Sequence, residues 1–235
     1  MRGVWVFITL LGLVAVPGCG REGYEKRQAK TLNQLEYTRR LQKNLMEAPN
    51  EKKFTDLAIY IRPPKEQALA KTGQLPVGEG QFDLDASFND KTESVLHVLA
   101  RVKRPKKPPT KGEAPPPPPA ARGEFVADVL GVLTSVFGSP EGLQTPKFSE
   151  ESKKGNRFRR LIFTADNKEV KVYTYKLDNS EVALIFVYDP ALRGALSSKI
   201  DLCLESFATG AKATRLYNGG DAAEEDAEAG APVPL

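Results

Sequence analysis

Six consecutive apolar residues, Val182-Ala183-Leu184-Ile185-Phe186-Val187, constrain the fold of this chain more than any other feature. A run this short, bounded by turn residues, reads as a strand, and a strand apolar on both faces belongs inside a sheet covered on both sides. Neighbouring strands and two covers must therefore come from elsewhere in the chain. Phe158 to Ala165 and Val170 to Leu177 supply strands just before it, separated by Asp166-Asn167 and followed by Asp178-Asn179-Ser180. Such short polar connections favour tight turns, so the three strands should form an antiparallel meander. Helical covers are expected on either side in sequence. Phe125, Val129, Val132, Leu133 and Val136 recur at helical spacing until Gly138-Ser139-Pro140 stops them. Asp189-Pro190 opens a second helix, with Leu192, Leu196, Ile200, Cys203, Leu204 and Phe207 on one face, expected to end near Thr209-Gly210.

Upstream the pattern has period two. Leu57, Ile59 and Ile61 share one predicted strand face. Phe82, Leu84, Ala86 and Phe88 share another, opposite Asp83, Asp85 and Ser87, and Leu96, Val98, Ala100 and Val102 make a third. Three strands between residues 54 and 103 are too few to cover themselves, so they should be half of a larger domain. The expected architecture is α+β, an antiparallel sheet of about six strands with helices packed on it, preceded by an N-terminal helical stalk. Its element order and the opening Phe54 to Pro64 (FTDLAIYIRPP) are similar to the PsbP-like fold of photosystem extrinsic proteins and their bacterial envelope relatives. That resemblance spans roughly residues 54 to 210, carries no site residue, and implies an accessory or interaction module.

Between the halves lies Arg104 to Arg122, with eight prolines, five bases and one acid. Repeated proline favours extended polyproline II, which would reach roughly 60 Å here, and the charges resist burial, so the segment reads as a solvated insert or spacer. Residues 22 to 48 are polar, free of proline and rich in helix formers, with a loose stripe of Leu32, Leu35, Leu41 and Leu45. They are expected to form a helical tether or a half-frayed arm.

At the N-terminus, Arg2 precedes an apolar run from Val4 to Val16, too short to span a bilayer and suited to a secretory signal. Val16-Pro17-Gly18-Cys19 resembles the lipobox of bacterial lipoproteins, although Pro17 departs from the commoner residues at its position. The resemblance implies that Cys19 becomes the diacylated mature N-terminus; ordinary cleavage after Gly18 is the alternative. The resulting expectation is a signal at 1–18, a tether at 19–53, a single domain at 54–217 with its insert at 104–122, and a disordered acidic tail at 218–235. Such a protein would be exported and held on the periplasmic or outer surface of a membrane. Net charge is +4, and setting aside Arg2 and the tail's five acids leaves residues 19 to 218 at +8. A body of that sign suits an anionic polymer or an acidic envelope protein as partner, and export makes nucleic acid an unexpected one.

Residues able to carry chemistry are few. His97 is the sole histidine, expected to be partly exposed on its strand, and Cys203 sits on the packed face of the last helix. No spacing suggests a metal site, a cofactor loop or a catalytic triad. The candidate binding surface for an anionic partner is Lys153, Lys154, Arg157, Arg159 and Arg160 beside Tyr173 and Tyr175. These observations point to a non-enzymatic binding or scaffolding module. The alternative is a hydrolase or transferase using carboxylates alone, with Asp83, Asp85 and Glu93 as its acids.

Overall fold

The structure is a computed structural model that describes residues 21–91, 93–103, 122–177 and 179–220. The signal, Cys19, all of the proline-rich insert except Arg122, and the acidic tail from Asp221 lie outside the described residues. In chain order the elements are α1 (Arg21–Asn44), α2 (Lys52–Thr55), β1 (Ile59–Tyr60), β2 (Ala68–Leu69), β3 (Leu84–Asn89), β4 (Val95–Val102), α3 (Phe125–Phe137), α4 (Glu141–Gln144), β5 (Ser149–Lys153), β6 (Asn156–Ala165), β7 (Lys168–Leu177), β8 (Ser180–Tyr188), α5 (Arg193–Ser206), β9 (Ala208–Thr209) and α6 (Gly210–Tyr217). The chain divides into two compact units, Met1–Arg40 and Leu41–Leu235. The second begins earlier than residue 54 because Leu41 and Leu45 are buried in it along with Phe54.

Seven antiparallel strands form the main sheet in the order β2-β3-β4-β8-β7-β6-β5. The segments flanking the insert meet where β4 pairs with β8, Leu96 opposite Phe186 and Val98 opposite Leu184. β8 lies in the interior of the sheet, and every residue from Val182 to Tyr188 is buried, as its two apolar faces require. Asp166 and Asn167, at φ 49° and 60°, make the two-residue turn between β6 and β7, and Lys154 and Gly155, at 45° and 83°, make the one between β5 and β6. Two successive positive φ values match the strand twist in such hairpins.

Alternation assigns the side chains to two covers. One face carries Leu99, Leu161, Phe163, Val172 and Ile185 and is closed by Phe125, Val129, Val132 and Leu133 of α3 together with Leu75. Gly138, at φ 70°, ends that helix in a conformation that favours glycine. The other face carries Phe88, Phe158, Tyr173 and Phe186. Phe54 meets Phe88 with ring centroids 6.1 Å apart, and Phe207, just past α5, meets Phe158 at 5.8 Å. Leu196, Ile200, Cys203 and Leu204 of α5 are buried as well.

Two expected elements differ. Leu57, Ile59 and Ile61 are buried, but only Ile59–Tyr60 is strand, and it pairs with β9 in a separate two-stranded sheet. Those branched residues fill the core from outside the main sheet. The last helix stops at Ser206 rather than near Gly210. Gly210, at φ 62°, instead lets the chain turn after β9 and begin α6, whose Tyr217 hydroxyl donates to the Ile59 carbonyl at 2.8 Å.

Candidate functional site

Strand alternation divides the expected basic and aromatic surface. On β6, Arg157 and Arg159 project to one face and Phe158 and Arg160 to the other. The register sets Arg160 opposite Tyr173 and Phe158 opposite Tyr175. Both tyrosines are buried, 2% and 8% exposed, and Tyr175 packs edge-on against Phe207 with centroids 5.0 Å apart. Burial pushes the Tyr173 hydroxyl well above its ordinary value. Two of the bases are committed to acids. Arg160 meets Glu151 at 2.7 Å, and Lys153 lies 3.1 Å from Glu151 and 2.9 Å from Asp201. Arg159 stacks over the Phe148 ring, 4.6 Å from its centroid. The seven residues are therefore not one patch: the aromatic members are core, and Arg160 and Lys153 belong to an ion-pair network beside α5.

Lys154 and Tyr175 are the members that line a concavity. This opening, about 590 Å³, lies between the β5–β6 turn, the facing ends of β7 and β8, and the start of α6. Lys154 and Lys212 bring positive charge to its wall, Tyr175, Asn179, Ser180 and Thr209 bring polar groups, and no acid lines it among the described residues. Asp178, between β7 and β8 in the sequence, is outside those residues. Asn156 is buried and braces the site, donating its amide to the carbonyls of Phe207 at 2.8 Å and Leu204 at 3.4 Å. That tie joins the end of α5 to the root of the hairpin carrying Lys154. The Gly210 N–H is used in the fold, donating to the Ala58 carbonyl at 2.9 Å. Lys212 carried no sequence signal, because only the turn at Gly210 brings it beside the hairpin.

The carboxylates expected for an acid-only enzyme do not meet. Asp83 and Glu93 lie at opposite ends of β3, which at about 3.3 Å per residue separates them by roughly 20 Å. Asp83 binds Arg122 and the Val102 N–H. Glu93 pairs with Lys168 at 3.2 Å. Asp85 packs against Gly73, with its Oδ1 buried and lacking a hydrogen-bond partner, and burial raises its pKa.

His97 is buried, 6% exposed, rather than partly exposed as its strand pattern suggests. Its Nδ1 lies 2.8 Å from the Ser87 Oγ, which also accepts from the Gln74 N–H at 3.3 Å. The segment through Gln74 and Leu75 covers this half of the sheet, a contact no local pattern reveals. Burial lowers the His97 pKa to about 4. Burial also pushes the Cys203 thiol up, which suppresses the thiolate.

One polar centre escaped the sequence reading. Glu169 is buried opposite Tyr188, accepts its hydroxyl at 2.6 Å, and is ion-paired with Arg193 and, at 3.4 Å, with Lys171. Burial opposes its ionisation, but the hydrogen bonds from Tyr188 and Arg193 and the Lys171 charge outweigh it and hold the carboxyl below its ordinary range. An acid flanked by charge at the start of a strand gives no hint of this, since Arg193 arrives only when α5 folds back. Among the described residues no three His, Cys, Asp or Glu side chains are grouped to hold a metal, and no helix is long and apolar enough to cross a membrane.

No protein-family model matches the chain. No curated protein matches it either. Among solved structures, the solution structure of cyanobacterial PsbP (CyanoP) from Synechocystis sp. PCC 6803 is similar with a TM-score of 0.41 and 12% identity, covering 71% of this chain and 93% of that one. A crystal structure from Bacteroides thetaiotaomicron VPI-5482 is similar with a TM-score of 0.38 and 8% identity, covering 71% of this chain and 48% of that one. Superpositions this loose assign the chain to no family and carry no function across to it.

Proposed function

We propose that this is a lipid-anchored cell-envelope protein whose α+β domain is a non-enzymatic binding module, taking an anionic polymer or an acidic segment of an envelope protein at the concavity lined by Lys154 and Lys212. The observation that carries the reading is this opening, which brings Lys154 and Lys212 together with several hydrogen-bonding groups in one wall. Such a site attracts an anionic group and offers it hydroxyl and amide partners. The residues best able to do chemistry support the same reading from the other side. Asp83, Glu93, His97 and Glu169 are each held in a structural pairing, and Cys203 is buried. Cys19 supplies the tether in this reading, as the lipobox-like tetrad implies.

Crosslinking in intact cell envelopes tests the module. The wild-type chain should capture an acidic partner, and Lys154→Glu together with Lys212→Glu should abolish capture while the thermal transition stays in place. Capture that survives both charge reversals would overturn the site. The intact mass of the mature protein tests the anchor separately: diacylglycerol on Cys19 supports it, and an unmodified N-terminus sinks it.

A further inference from the structure

Tyr24, Leu32 and Leu35 of α1 stand 66%, 53% and 50% exposed, large apolar side chains on a helix of mostly polar residues. Positions 24, 28, 32, 35 and 39 follow one another at intervals of three and four, so these three residues and Arg39 lie along one stripe. Over its whole length α1 carries seven bases against three acids, with Arg39 in the stripe itself and Lys26 and Lys30 on the opposite side of the helix. We propose that the helix from Arg21 to Arg40 lies along an anionic bilayer surface, with Tyr24, Leu32 and Leu35 entering the headgroup region, Arg39 meeting lipid phosphate, and the helix's net positive charge drawing it to the leaflet.

The inference rests on the anchored reading for its setting, since Cys19 lies two residues before α1. Three apolar side chains are too few to insert a helix, so charge must contribute much of the attraction, at about 1 kcal/mol for a base that reaches the leaflet, as Arg39 does. A second copy of the helix is the poorer occupant. Positions 24, 32 and 35 make no continuous heptad seam, and pairing would bring two strongly basic helices together. An anionic surface answers both features, because it accepts a short apolar stripe and attracts a helix of net positive charge.

The test uses the chain from Gly20 to Leu235 without an acyl group, floated with vesicles of phosphatidylglycerol and phosphatidylethanolamine. Binding should be clear there, absent from phosphatidylcholine vesicles, and weakened by salt. Arg39→Gln should weaken it about fivefold. Leu32→Ser combined with Leu35→Ser should weaken it about tenfold or more. Both variants should keep the wild-type thermal transition, and Lys147→Gln, an exposed base outside α1, should bind like wild type. Equal binding to uncharged vesicles, variants indistinguishable from wild type, an equal loss in Lys147→Gln, or self-association without vesicles that the double serine variant abolishes would each overturn the proposal. Because this chain has no lipid anchor, its failure to bind leaves the Cys19 reading intact, and the mass measurement decides that one independently.

Discussion

Asp83 and Arg122, 39 residues apart, meet in a two-point ion pair with both nitrogen–oxygen distances at 2.9 Å. The same carboxylate accepts the Val102 N–H at 2.9 Å, and the Lys103 N–H donates to the Asn179 carbonyl at 2.7 Å. Both feet of the proline-rich insert are thus tied at one point on the sheet. Deeper in, Arg101 carries the junction, donating to the carbonyls of Gln81 and Gly123, pairing with Asp128, and lying over Phe82 and Phe125.

This clamp predicts a small, separable contribution to stability. Asp83→Ala should cost about 1 kcal/mol, because the pair is partly solvated. The thermal midpoint should fall by about 2–4 °C. Replacing residues 105 to 120 with a short Gly and Ser linker should leave the midpoint nearly unchanged, since closure entropy varies slowly with loop length. Calorimetry showing two transitions after that replacement would mean that the halves on either side do not fold cooperatively.

Acidification should unsettle the domain first through His97. Its pKa in the folded chain, about 4, lies below its ordinary 6.5, so between those values the unfolded chain binds a proton that the folded chain refuses. Stability then falls as pH drops through that window, by a total on the order of 3 kcal/mol. His97→Gln should flatten the slope there and keep partner binding. Urea denaturation from pH 7 to pH 4 measures it, and an unchanged slope in the variant would contradict the burial argument.

Glu169 should act at lower pH. Its carboxyl is held below the ordinary 4.5 in the folded chain, so its contribution is present above that value and is lost as pH falls through the folded-state pKa. Glu169→Gln should cost about 2 kcal/mol at neutral pH, from the loss of its charge-assisted hydrogen bonds. The variant should show a shallower acid limb than wild type in thermal melts below pH 4.5.

Cys203 should be chemically silent. The native thiol should resist maleimide until the chain unfolds, and labelling should then track unfolding. Cys203→Ala should cost about 1 kcal/mol from lost packing and leave partner capture intact. Fast labelling of the folded protein would require a thiolate that its burial excludes.

Local pattern determined much of this protein. The two apolar faces of Val182 to Val187, the alternation in Leu84 to Phe88 and Leu96 to Val102, the Asp166-Asn167 turn and the glycine stop at Gly138 each depend on neighbours within a few residues, and each is realised in the structure. Period two also contained the division of Arg159 from Arg160, since adjacent residues on a strand face opposite ways. What local pattern could not determine is which distant segment covers a given face. Ile59 has strand chemistry, yet whether it joined the main sheet depended on β9 arriving beside it. His97 became buried because Gln74 and Leu75 cross its face, and Tyr173 and Tyr175 became core because α5 and Phe207 close over them. Lys154 gained Lys212 as a neighbour only through the turn at Gly210. A side chain's direction is a property of its own backbone; its partner is a property of loop closure between residues far apart in sequence, which only the folded chain decides.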